Sequence, residues 1–306
     1  MNIIQQATKR FEELQRAGIE VPWTASGLKR QAVADALPCP EASFAHPPAQ
    51  PVMPSVTHIS AITEERRSSE AVTLDLDRLA GMGYCVSANA RTVLAEEFRI
   101  LKRPLLNNAS LEGEAAIRRS NLIMVTSAIA GEGKTFTSIN LALSISMEVD
   151  RSVLLVDADM IRPMVLERLG LQPRKGLMDV LRDSSLDLSE VMLRTNIPKL
   201  SLLPSGESGT DATEMLASGA MEQLLDDLAA KYADRIIIFD APPLLLATES
   251  HVLAAHVGQV IVVVEASKTS RHAAAEAFAS VSHCPVVLPL LNKCSGSNSM
   301  GGYGHY

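Results

Sequence analysis

The segment that most constrains this chain is an apolar run, Leu122 to Thr126, followed by Ala128-Ile-Ala-Gly131-Glu-Gly133-Lys134-Thr135 and a helical pattern through Ile139, Leu141, Leu143, Ile145 and Met147. Four apolar residues and a β-branched Thr, bounded by a glycine-bearing turn, suit a buried strand, and the later spacing suits a helix. The glycines let backbone N–H groups turn inward on an anion, and the helix start adds its partial positive charge. Lys134 can then reach outer phosphates, and the Thr135 hydroxyl is placed for Mg²⁺. Ala128 stands where such loops usually carry their first glycine.

Around this unit, short apolar runs alternate with longer helix-patterned stretches, which predicts a mainly parallel, doubly wound α/β sheet flanked by helices. The expected strands are Leu122 to Thr126, Val153 to Val156, Leu200 to Leu203, Ile236 to Phe239, Val260 to Val264 and Val286 to Leu291. Their continuous apolarity predicts burial on both faces. Ligands of such sheets bind at the carboxyl ends of the strands, where Asp157, Asp159 and Asp240 fall. A single Asp there serves equally well as a turn former. Three beside a phosphate loop point instead to Mg²⁺ ligation and to a proton acceptor for an attacking hydroxyl.

The rest of the chain divides by composition. Residues 1–18 space Ile3, Ile4, Ala7, Phe11 and Leu14 as a short amphipathic helix. Residues 19–85 carry a proline-rich stretch and a polar run and are expected to form a largely disordered linker, which places the domain boundary near residue 85. Residues 86–294 are the expected catalytic domain, and 295–306 a tail of Gly, Ser and Asn with Tyr303 and Tyr306. The net charge of -7 argues against a general nucleic-acid partner. Four cysteines without a C-x-x-C pair read as reduced thiols. No leader-like or spanning apolar stretch is evident, so export and membrane spanning are not expected.

These motifs together resemble the bacterial tyrosine kinases, autokinases of capsule and exopolysaccharide synthesis, over about Leu94 to Asn292. The loop is similar to that family's Walker A, Leu154-Leu-Val-Asp-Ala-Asp-Met160 to its additional Walker A′, and Ile236-Ile-Ile-Phe-Asp-Ala-Pro-Pro243 to its Walker B. The subgroup it looks most like comprises soluble autokinases that accompany a separate chain-length protein and an exosortase-type locus. The resemblance implies that ATP is held by Ala130, Gly131, Glu132, Gly133, Lys134, Thr135 and Phe136, with Asn292 approaching the adenine. It further implies Mg²⁺ at Thr135, Asp159 and Asp240, catalytic roles for Lys134, Asp159 and Asp240, and Asp157 as acceptor of the tyrosine proton.

Upstream, Glu96, Arg99 and Lys102 resemble the family's Glu-x-x-Arg-x-x-Arg self-association helix, with Lys102 in place of the second Arg and Pro104 expected to limit the helix. A homo-oligomeric ring is implied, with Tyr303 and Tyr306 as phosphoacceptors. The implied partners are a transmembrane chain-length determinant or co-polymerase protein and a cognate tyrosine phosphatase. The implied location is the cytoplasm, peripheral at the inner membrane through that partner. Two other readings stay open on the residues alone: a switch ATPase of the partitioning or septum-placement kind, and a nucleotide-gated interaction subunit with little turnover.

Overall fold

The computed structural model describes residues 69–86, 92–207, 209–232 and 234–294, all within the unit Val56–Tyr306. The expected helix at 1–18, most of the 19–85 linker and the tail with Tyr303 and Tyr306 lie outside the described residues. In chain order the elements are β1 (Glu70–Val72), α1 (Leu76–Gly81), α2 (Val93–Ala109), β2 (Leu122–Ser127), α3 (Lys134–Ser146), β3 (Ser152–Asp157), α4 (Val165–Leu169), α5 (Leu177–Arg182), α6 (Leu188–Val191), β4 (Leu193–Thr195), β5 (Leu200–Leu203), α7 (Ala212–Leu216), α8 (Gly219–Lys231), β6 (Arg235–Asp240), α9 (Thr248–Ala254), β7 (Gln259–Glu265), α10 (Arg271–Ser280) and β8 (Val286–Asn292).

The eight strands form one sheet in the order β1-β4-β5-β3-β6-β2-β7-β8. Every pairing is parallel except the antiparallel β4–β5 pair. The apolar runs of the central strands are shared between two faces, because successive side chains on a strand point opposite ways. Leu122, Met124, Leu154, Val156, Ile237, Phe239, Val260 and Val262 pack with Met221, Leu225 and Leu228 of α8 and Leu253 of α9. Ile123, Val125, Val153, Leu155, Ile236, Ile238, Ile261 and Val263 pack on the other side with Leu105 of α2 and Ile139 and Leu143 of α3. Each fully buried side chain of this size contributes about 1.5–3 kcal/mol, which is what makes the double covering worth its loss of chain entropy. β8 departs from the expected double burial: it is an edge strand of half-buried and exposed residues, and tolerates Pro289 for that reason.

The folded unit begins earlier than composition suggests. Three residues of β1 pair in parallel with β4, Asn196 brackets Leu74 by accepting from its N–H at 2.8 Å and donating to its carbonyl at 3.1 Å, and Leu74, Leu79, Tyr84 and Cys85 are buried. The expected boundary at residue 85 is therefore corrected to a point before Glu70. Strands as short as β1 and β4 leave no periodic signature, which is why neither was anticipated.

Pro104 likewise fails to end its helix. α2 runs through it to Ala109, capped at the start by Thr92, whose hydroxyl accepts from Ala95 N at 3.1 Å. Pro104 and Ile100 both lie on the exposed face. The carbonyl that loses its partner there can turn to water, while buried Leu105 and Leu106 hold the next turn against the core.

Candidate nucleotide-binding and catalytic site

β2 lies between β6 and β7, and its connection through α3 leaves on one face of the sheet while those from β6 and β7 through α9 and α10 leave on the other, so a crevice opens at the carboxyl ends of these strands. The loop after β2 occupies it. Gly131 and Gly133 have φ of 87° and 102°, backbone that an L side chain rarely adopts. At Gly133 a Cβ would also sit 2.2 Å from the Asn292 amide nitrogen. Ala128, by contrast, is fully buried with no left-handed backbone, so this loop does not need glycine at its first position. Gly133 caps α3 without a side-chain partner, which leaves the first amides of a 13-residue helix turned toward the crevice.

Three of the sequence-predicted groups converge on Lys134. Its ammonium is 2.7 Å from Asp159 Oδ2 and 3.7 Å from Asp240 Oδ2. Thr135 Oγ1 donates to Asp240 Oδ2 at 2.7 Å, and Ser138 Oγ donates to Asp240 Oδ1 at 3.0 Å. Ser138, one helical turn beyond Lys134, escaped the sequence reading; its i+4 spacing from the loop lysine was the available signal. Asp157 completes the group. Its Oδ2 accepts from Val165 N at 2.9 Å and its Oδ1 from Asp159 N at 3.3 Å.

Electrostatics follow from this crowding. Burial, reinforced by the neighbouring Asp240 charge, pushes the Asp157 carboxyl up to about 7, against the pull of Val165 N–H and Lys134. Burial also raises Asp240, although Lys134, Thr135 and Ser138 all favour its charged form. For Lys134, burial acts downward, but Asp240, Asp159 and Asp157 outweigh it and hold the ammonium above the ordinary lysine value. The pocket thus keeps one firm cation among carboxylates, one of which has its proton poised near neutrality.

The remaining predicted residues fall in different places. Ala130 is exposed at the crest of the loop. The Glu132 side chain does not face phosphate: it is buried, and accepts from Ile129 N at 2.8 Å, Glu265 N at 3.2 Å and the Thr269 hydroxyl. Phe136 turns away to meet the Tyr84 ring, 5.3 Å between centroids. Asn292 donates from its amide to Glu132 O at 2.8 Å, so it braces the loop.

On α2, Glu96 and Arg99 form a half-exposed ion pair at 2.7 Å. Lys102 is a correction to the expected intersubunit seam: it is buried, donates to Ser144 O at 2.6 Å and meets Glu148 at 2.7 Å, joining α2 to α3 in its own chain. Its methylene stem fits a buried path that ends on a carbonyl and one carboxylate oxygen.

Residues 120–284 match the AAA domain family. That is more than half of the 306-residue chain, which therefore belongs to this family of P-loop nucleotide-binding proteins. Within it the similarities are to bacterial tyrosine kinases. The chain is 29% identical over 218 residues to the tyrosine-protein kinase YwqD of Bacillus subtilis (strain 168), covering 70% of this chain and 88% of that one. It is 32% identical over 151 residues to the tyrosine-protein kinase ptk of Acinetobacter johnsonii, covering 49% of this chain and only 20% of the relative. Among solved structures, the VpsO kinase domain superposes with a TM-score of 0.54 at 29% identity, over 65% of this chain and 95% of that one. The BceF tyrosine kinase domain gives 0.58 at 21% identity, over 76% and 96%, a likeness of fold. Among the described residues no helix is long and apolar enough to cross a membrane.

Proposed function

We propose that this chain is an ATP-dependent protein-tyrosine autokinase that phosphorylates Tyr303 and Tyr306, and that it thereby regulates polymerisation and export of an exopolysaccharide or capsule. The observation that carries this reading is the gathering of Lys134, Asp159, Asp240 and a near-neutral Asp157 beside a phosphate loop. A proton acceptor works best when its pKa lies near the operating pH. Similarity to YwqD, ptk and the VpsO kinase domain supports tyrosine as the acceptor.

In the reaction, the amides of the loop and of the α3 N-terminus would bind the β- and γ-phosphates of ATP, and Lys134 would exchange Asp159 for a phosphate oxygen. Thr135, Asp159 and Asp240 are hard oxygen donors that suit Mg²⁺. Mg²⁺ there supplies charge neutralisation between the phosphates. Asp157 takes the proton of the tyrosine hydroxyl as its oxygen bonds to the γ-phosphorus; the bond from that phosphorus to the bridging oxygen breaks, and ADP leaves with the electron pair.

Transfer in trans within a homo-oligomeric ring, with α2 of one copy against the next, fits the half-exposed Glu96–Arg99 pair. The reading includes a transmembrane co-polymerase as activator, a cognate tyrosine phosphatase, and a cytoplasmic position at the inner membrane. Of the other tyrosines, Tyr84 is buried and Tyr232 half-buried under the Arg235 guanidinium, so neither is well placed as an acceptor. Mass spectrometry of the active full-length protein should find phosphate on Tyr303 or Tyr306, absent in Lys134→Met and largely lost on deletion after Cys294. Phosphate confined to Tyr84 or Tyr232 would refute the tail mechanism.

A further inference from the structure

The phosphate loop is also gripped from outside, by the ends of β7 and β8. Lys293, the residue after β8, has a left-handed backbone with φ of 56°, a conformation unfavourable for a residue with a Cβ. This backbone carries its ammonium to Gly131 O at 2.6 Å and to Glu265 Oε2 at 3.0 Å. Beside it, Asn292 donates to Glu132 O at 2.8 Å and accepts from Lys293 N at 2.8 Å, while Ala266 N donates to Asn292 O at 2.8 Å. Two consecutive loop carbonyls, of Gly131 and Glu132, are therefore each held by a side chain from the end of β8.

A trans peptide is planar, with its C=O and N–H pointing opposite ways. A carbonyl fixed on the Lys293 side turns the next N–H, that of Glu132, toward the crevice; Asn292 does the same for the N–H of Gly133. A cation on the carbonyl also polarises the peptide and strengthens its N–H as a donor. On this geometry, and resting on the nucleotide reading above, we propose that Lys293, anchored by Glu265, is a positioning residue that presets the phosphate loop for ATP. It touches no phosphate itself. The Lys293 side chain is 45% exposed and Glu265 14%, so the pair contributes little to global stability. Its effect should appear in nucleotide affinity and leave the melting temperature almost unmoved.

The test uses the full chain with a fluorescent ATP analogue and Mg²⁺, alongside autophosphorylation kinetics. Lys293→Met should weaken binding about tenfold, the loss of one charge-assisted hydrogen bond, and raise KM with kcat within about twofold. Lys293→Arg should restore most of the affinity. Glu265→Gln should lie between, and the double variant Lys293→Met with Glu265→Gln should bind no worse than Lys293→Met alone, because the two act as one unit. Wild-type affinity in Lys293→Met, or a loss that tracks a lowered melting temperature, would overturn the positioning role. A wild-type chain that binds no ATP analogue would overturn the nucleotide reading and this role with it.

Discussion

Lys134 Nζ lies 2.7 Å from Asp159 Oδ2, so the lysine proposed to reach phosphate and a candidate metal ligand neutralise each other's charge. On the proposed reading both change partners when ATP binds. Replacing Lys134 with Ala should weaken ATP binding at least a hundredfold and abolish phosphorylation. It should also lower stability by about 1–3 kcal/mol, because buried carboxylates lose their counter-ion. A second change, Asp159→Asn, should recover part of that loss. Thermal unfolding at neutral pH reads the stability, and calorimetric titration the binding.

Asp157→Asn should keep nucleotide and lose phosphoryl transfer. The wild-type rate should rise through about pH 7 as the Asp157 carboxyl ionises, and that limb should vanish in the variant. Stability gives an independent check. The folded pKa lies above the ordinary 3.8, so the folded state binds the extra proton and wild-type stability falls as pH rises from about 4 to about 7. Asp157→Asn should remove this dependence and be the more stable protein at pH 8, by roughly 1–4 kcal/mol, with the gap closing toward pH 4. Equal denaturant midpoints at pH 8 would count against the raised carboxyl.

Ser138→Ala should raise the KM for Mg²⁺·ATP about three- to tenfold, since Asp240 loses one of its two hydroxyl partners while Thr135 remains. Initial rates at several Mg²⁺ concentrations would check this, and the defect should shrink as Mg²⁺ rises.

Arg99 and Lys102 should part company. Arg99→Ala removes a half-exposed charge and should alter assembly more than stability, measured by light scattering with ATP and Mg²⁺. Lys102→Ala leaves Glu148 and the Ser144 carbonyl without their buried donor and should cost about 2–4 kcal/mol of stability in the monomer itself. If both variants dissociated oligomers with unchanged melting temperatures, the intrachain role of Lys102 would be wrong.

The parts of the fold that sequence conveyed are those where one residue type has one purpose. Runs such as Ile236 to Phe239 are apolar at every position because both faces are covered, and Asp157 and Asp240 stand where such runs stop. What was hidden depends on partners distant in the chain. Glu70–Val72 is a strand only because Leu193–Thr195 lies beside it, and Lys102 is buried only because α3 ends at its level. Glu132 was legible as a loop residue, but nothing in its own neighbourhood announces that its carboxylate meets Thr269, 137 positions away. Lys293 carries no motif; its left-handed backbone and the Gly131 carbonyl give it a role that spacing cannot express.

The strand order places β1 at one rim of the sheet and β8 at the other. Seven intervals at about 4.8 Å separate them, on the order of 30 Å. The chain thus enters its folded region at the rim farthest from Gly131 and departs from it beside that loop. Tension applied upstream of Ser69 would be borne first by the β1–β4 pairing and the Asn196 clasp on Leu74, with four strands between β1 and the strand that carries the phosphate loop. Whatever holds the upstream segment therefore pulls first at one rim of the sheet, and whatever moves the chain after Cys294 pulls at the other.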